Sequence, residues 1–152
     1  MPLFQSAMMT LRKYFEFNGR ASRQEFWYFF FFCVLAQMVA RLVDSLLFGF
    51  GAMPGPIAGL TGLLLFMPQV AVTVRRLHDV GRSGREAILP FALLFAMPFV
   101  VIFGGFIGRI IQLGFVGVTL LLFANLLVLL TKQGSSIPNK YGASPKAFSF
   151  AK

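Results

Sequence analysis

The chain has 152 residues, 57% of them hydrophobic and 12% charged, with a formal net charge of +9 and one cysteine. A soluble domain averages about 45–50% apolar and roughly 25% charged residues, so a soluble globular domain is excluded. One cysteine also excludes an intramolecular disulfide.

The apolar residues gather in four stretches, 26–50, 57–74, 87–106 and 110–130. Each approaches or exceeds the roughly 20 residues with which a helix crosses a hydrocarbon core. Barrel strands alternate apolar and polar side chains, and "FWYFFFFCVLAQMVA" does not alternate. The sequence therefore predicts an all-α membrane protein, a four-transmembrane-helix bundle.

Ahead of the first span, residues 1–17 place Phe4, Met8, Leu11 and Phe15 at helical spacing, with Gln5, Arg12, Lys13 and Glu16 on other faces. This pattern predicts an amphipathic N-terminal helix lying in the membrane interface. "NGRASRQEFW" follows, where Ser22 and Glu25 have the S-x-x-E spacing of a capping box. Cys33 is expected to pack inside the first spanning helix. Gln37, Arg41 and Asp44 share one face of that helix. Arg41 falls about 21 Å from Trp27 at 1.5 Å per residue. Charges at such depth usually face the bundle interior in pairs, so an Arg41–Asp44 pair is expected, as structural glue or as the lining of a polar path.

Pro54-Gly55-Pro56 suits a turn and a helix start. Pro68 and Pro98 are candidate kink sites, and Gln69 and Asn125 are candidates for hydrogen bonds between helices. The segment "VRRLHDVGRSGRE", 74–86, carries Arg75, Arg76, Arg82 and Arg85 together with His78 and Asp79. It reads as a charged loop that closes on a second S-x-x-E box, Ser83 and Glu86. Gly19-Arg20 and Gly81-Arg82 each open a G-R-x-x-R run, which suits two helical hairpins in parallel repeat. "GGFIG" is expected to end the third span, and Gly114 and Gly117 to let a neighbouring helix approach the fourth. The tail, 132–152, is expected to be extended with little regular structure.

Basic residues precede the first span, occupy the segment between the second and third, and follow the fourth. Lys and Arg collect on the cytoplasmic side of short loops, so both termini are expected in the cytoplasm and the domain layout is 1–17, 18–131 and 132–152. The first twenty residues show no cleavable signal pattern. The basic groups hug membrane boundaries, which argues against a nucleic-acid partner.

"FNGRASRQEFW", "RRLHDVGRSG" and "NKYG" followed by Pro145 resemble the signature blocks of the domain of unknown function 805 family, small polytopic bacterial inner-membrane proteins. The resemblance covers nearly the whole chain. It implies the fold and the location and assigns no activity. One departure is Arg85, where the family usually carries Trp after G-R-S-G.

The candidate site is an anion or lipid-headgroup site built from Arg20, Arg23, Arg75, Arg76, Arg82, Ser83, Gly84 and Arg85. Gly84 would bring backbone amides close to the ligand, helix N-termini favour anions, and His78, Asp79 and Gly81 would structure the loop. A lone histidine with two carboxylates near it falls short of a metal site, so no metal and no cofactor are expected. No hydrolase, nucleotide-binding or redox motif is present, so no catalytic residue is assigned. The leading reading is a non-enzymatic inner-membrane protein binding anionic lipid or a partner protein, with a homo-oligomer possible. The alternative is a small transporter or channel subunit using the Arg41–Asp44 patch.

Overall fold

The computed structural model describes residues 2–49, 55–100 and 104–145. Five helices follow one another: α1 (Pro2–Arg12), α2 (Arg23–Phe48), α3 (Pro56–Asp79), α4 (Arg85–Val100) and α5 (Gly105–Thr131). Three of them, α2, α3 and α5, are long and apolar enough to cross a membrane.

The described part of α4 has 16 residues, about 24 Å of helix, which is short of a core of about 30 Å. The third predicted span, 87–106, runs on through 101–103, which lie outside the described residues. A second helix start at Gly105 then divides it. Gly108 and Arg109 consequently belong to the first turns of α5 rather than to a link between spans.

α2 and α3 form an antiparallel pair that keeps one register along its length. Arg20 meets Asp79 and Glu25 meets Arg75 at one end. Gln37 stands beside Gly62 midway, and Asp44 beside Gly55 at the other end. α4 and α5 pack as a second hairpin on α3.

The core sits at the end of the bundle where α2 begins and α3 and α5 finish. Phe26, Phe29, Val72, Leu77, Ala87, Leu126 and Leu130 are buried there together. Towards the other end the large apolar side chains turn outward, as Leu46, Leu47, Leu63, Leu113 and Leu121 do, which is the arrangement that lipid solvates.

α1 packs on this bundle through small residues. Ser6, Ala7 and Thr10 are buried, while Phe4, Met8 and Phe15 are exposed. The expected apolar stripe is thus split: Phe4 and Met8 face away from the bundle, Leu11 packs against the core, and Phe15 lies beyond the end of α1.

Three expectations change. α3 continues five residues beyond 74, so Arg75, Arg76, His78 and Asp79 are helical rather than loop residues. The helix persists because each of these polar side chains finds a partner inside the bundle. Gly114 and Gly117 have open space where a Cβ would stand, so neither is a close-approach point. Asn125 is exposed and the Gln69 Oε1 is buried without a partner among the described residues, so these two amides do not join helices. Cys33 is partly buried against the core, as expected. Pro68 lies inside α3; the side chain of Pro98 lies outside the described residues.

Candidate functional site

The three signature blocks converge at the core end of the bundle. Asp79 is the hub. Its Oδ1 accepts from Arg20 Nε at 2.9 Å, with Arg20 Nη2 2.8 Å away. Its Oδ2 accepts from Arg76 Nη1, and its backbone carbonyl accepts from the Ser135 amide at 3.0 Å.

Both guanidinium groups also donate to chain ends. Arg76 reaches the carbonyl of Leu130 at 3.1 Å and that of Lys132, satisfying carbonyls that the end of α5 leaves unpaired. Arg20 reaches the carbonyls of Ile137 at 3.0 Å, Gly142 at 3.3 Å and Ser135. Charge-assisted bonds of this kind are about twice as strong as neutral ones. They hold the irregular tail against α3.

His78 extends the junction. Its Nδ1 lies 3.1 Å from the Gly19 carbonyl, and its ring stacks on Tyr141 with centroids 3.8 Å apart. Its own backbone carbonyl accepts from Asn139 Nδ2 at 2.9 Å. The tail is therefore irregular, as expected, but it is clamped rather than free as far as residue 145; 146–152 lie outside the described residues. Gly134 permits the clamp, because a Cβ there would overlap the Asp79 carboxylate.

Arg75 belongs to a separate pair. Its Nη1 donates to Glu25 Oε1 at 2.7 Å, and its side chain is 1% exposed. Nε and Nη2 of Arg75 are buried with no partner among the described residues. Glu25 is thus spent on α3. Only half of the first capping box forms: Ser22 Oγ accepts from the Glu25 amide at 3.1 Å. The second box differs further. Ser83 Oγ accepts from the Arg85 amide at 3.3 Å, and Glu86 lies 3.7 Å from Arg82 in an exposed pair.

The expected anion site is therefore divided. Arg20, Arg75 and Arg76 are buried and engaged within the fold, whereas Arg23, Arg82 and Arg85 are exposed. Gly81, at φ 77°, ends α3 in the left-handed conformation that glycine favours. Arg82 and Gly81 donate their amides to the carbonyls of Leu77 and His78, which is the Schellman arrangement. Gly84 approaches α3, not a ligand: a Cβ there would stand 2.6 Å from Val74 Cγ1.

What remains beside the junction is a polar recess of about 330 Å³ at the start of α2. Arg23, Gln24, Arg76, Gln133, Ser135 and Ser136 are among the residues around it. Nearby Arg20, Arg23 and Arg76 bring three positive charges against the single carboxylate of Asp79.

The expected intramembrane pair is not formed. Asp44 is buried and accepts from the amides of Ile57 at 3.0 Å and Ala58 at 2.7 Å. It caps α3 from the neighbouring helix, where Gly55 has no side chain to do so. Arg41 is exposed and lines a long apolar groove on another side of α2. Gln37 lines the same groove.

Reading the sequence alone missed Tyr14, Glu25 as an ion-pair partner, Gly134, Asn139 and Tyr141. For the last two a signal existed: both stand in the "NKYG" block, ahead of Gly142, in an otherwise polar tail.

Comparison with known proteins places this geometry. Residues 14–143 match the family described as protein of unknown function (DUF805). Inner membrane protein YhaI of Escherichia coli (strain K12) is 31% identical over 139 residues, covering 91% of this chain and 93% of the relative. Inner membrane protein YhaH of the same strain is 36% identical over 94 residues, 61% of this chain and 74% of the relative. The uncharacterized protein YiiR is 32% identical over 140 residues, 88% and 89% of the two chains. No solved structure matches the chain.

Proposed function

The chain belongs to the DUF805 family, and from that premise we propose that it is a multi-pass inner-membrane protein that binds an anionic phospholipid headgroup, without catalysis, in the recess at the start of α2. Two of its relatives carry inner membrane protein as their name, which supports the location.

One observation carries the binding reading. Arg23, Arg76 and the first turn of α2 converge on a polar recess whose only carboxylate among the described residues, Asp79, already accepts from two guanidinium groups. The positive pole of a 26-residue helix adds to those charges. A phosphate monoanion complements that surplus, and the exposed Arg23 has the fork that grips phosphate bidentately. The carboxylate held between two arginines leaves no free carboxylate in the recess among the described residues, which favours binding over turnover.

Sidedness supports the same ligand. The Lys/Arg distribution predicts this end in the cytoplasm, where the leaflet is rich in anionic lipid. A transport reading through an Arg41–Asp44 pair has lost its pair.

The test is co-purification with phosphatidylglycerol against phosphatidylcholine, read by native mass spectrometry. Arg23→Gln is expected to remove the preference for phosphatidylglycerol and Arg23→Lys to weaken it. Arg85→Gln, at an exposed residue outside the recess, is expected to leave it intact. Equal losses from Arg23→Gln and Arg85→Gln would reduce the recess to unspecific basic attraction.

A further inference from the structure

A second opening lies elsewhere, on the flank of the bundle. α2 packs on one side of α3 and the α4–α5 hairpin on another, and between them runs an open groove of about 470 Å³. Along α2 it extends from Phe26 to Arg41, about 22 Å at 1.5 Å per residue. Phe66, Phe91 and Phe123 form a continuous edge-on aromatic wall, with successive centroids 5.8 Å apart.

The polar groups in this groove are few and unevenly placed. Arg41 lies at one extremity, with Gln37 one turn before it. Arg41 is exposed and forms no ion pair among the described residues; its expected partner Asp44 is committed to α3. A charged group in a membrane helix generally faces a partner or an aqueous cavity, so an unpaired guanidinium at the end of an apolar groove calls for an anion. Arg41 precedes Phe48 by seven residues, about 10 Å, which places it nearer the Gly49 end of α2 than the Phe26 end.

We infer that this groove holds one anionic phospholipid from the leaflet at the Gly49 end, with its phosphate on Arg41 and one acyl chain along the wall of Phe66, Phe91 and Phe123. The occupant follows from charge and shape together. The groove opens sideways, where acyl chains are the solvent, and its one cation among the described residues, Arg41, stands at the extremity nearer the Gly49 end. A helix from a second copy would fill the apolar length but would have to bury Arg41 beside it. This site is separate from the recess at the start of α2, at the opposite end of the same helix.

The experiment reconstitutes the full chain in phosphatidylcholine vesicles doped with phosphatidylglycerol that carries a photoreactive group in one acyl chain. Cross-linked peptides are mapped by mass spectrometry, with photoreactive phosphatidylcholine as the parallel arm. Phosphatidylglycerol is expected to label the groove-facing parts of α4 and α5, about fivefold more than phosphatidylcholine does, as one charge near a surface provides. Arg41→Gln is expected to remove that difference and Arg41→Lys to retain most of it. Val34→Trp, which narrows the groove while leaving Arg41 in place, is expected to reduce labelling of α4 and α5 by both lipids. Equal labelling by the two lipids in the wild type would overturn the proposal. So would labelling unchanged by Arg41→Gln, or a dimer whose interface protects the groove from either lipid.

Discussion

The phenol of Tyr14 donates to the carbonyl of Leu64 at 2.6 Å, the carbonyl whose helical donor is missing because Pro68 has no N–H. The segment after α1 thereby repairs the break that proline makes in α3. Tyr14→Phe is expected to lower stability by about 1 kcal/mol, a typical net hydrogen-bond contribution. Pro68→Ala restores the helical donor, so Tyr14→Phe should then cost markedly less. Reversible unfolding in mixed micelles across this double-mutant cycle measures the coupling, and a zero coupling would separate the two residues.

Asp79 should be the most sensitive side chain in the protein. Its removal leaves the buried groups of Arg20 and Arg76 without their carboxylate, and breaking a buried pair from one side costs about 3–5 kcal/mol. Asp79→Ala is expected either to unfold the core end or to release the tail. Gly134→Ala offers a milder route to the same joint, since its Cβ meets that carboxylate. Tryptic cleavage after Lys132 and Lys140 should be slow in the wild type and faster in Gly134→Ala. Unchanged cleavage would mean that the tail is held by other contacts.

The helices were largely legible in the sequence because lipid requires long uninterrupted apolar runs, and α2 and α5 start or stop within five residues of their predicted bounds. α3 was misjudged at its charged end. Charge in "VRRLHD" suggested solvent, because a sequence does not display the partners that make buried arginines acceptable. Those partners are Glu25, Asp79 and the tail carbonyls, up to 122 positions away from Arg20.

The site was legible in composition and illegible in geometry. Arg20, Arg23 and Arg76 do gather with Asp79 as the motifs suggested. Arg82 and Arg85 stay outside, and Arg75 answers to Glu25 instead. Helical periodicity placed Arg41 and Asp44 on one face, yet at i and i+3 they diverge enough to serve different neighbours. The cap that takes Asp44 was invisible, because its need arises from Gly55, a residue without a side chain to cap its own helix.

Asp44→Ala removes two acceptor contacts to the first turn of α3, so a loss of about 1–2 kcal/mol is expected, as for other helix caps. Asp44→Asn should retain part of it. Arg41→Ala should be independent, and the Arg41→Ala, Asp44→Ala double variant should equal the sum of the two within about 0.5 kcal/mol. Thermal unfolding of the four proteins in one detergent gives the answer. A coupling of 1 kcal/mol or more would restore the ion pair.

The tail and the loop after α3 must lie on one side of the membrane, because Arg20 and Arg76 bind the tail carbonyls of Ile137 and Lys132 from the same end of the bundle. With Cys33 replaced by alanine, Arg82→Cys and Ser136→Cys should react alike with an impermeant thiol reagent. Gly104→Cys, at the start of the 27-residue α5, should react from the other side. Which side is which depends on charge as seen during insertion, before any ion pair forms. At that stage the buried Arg20, Arg75 and Arg76 count as fully as the exposed Arg23, Arg82, Arg85 and Lys132, so the positive-inside bias exceeds what the folded surface displays. The expected result in intact cells is protection of Ser136→Cys and labelling of Gly104→Cys. Neutralising Arg82 and Arg85 together should leave that result unchanged, because the buried arginines still supply the bias. Labelling of Ser136→Cys from outside, with Gly104→Cys protected, would invert the bundle and place the polar recess on the far side of the membrane.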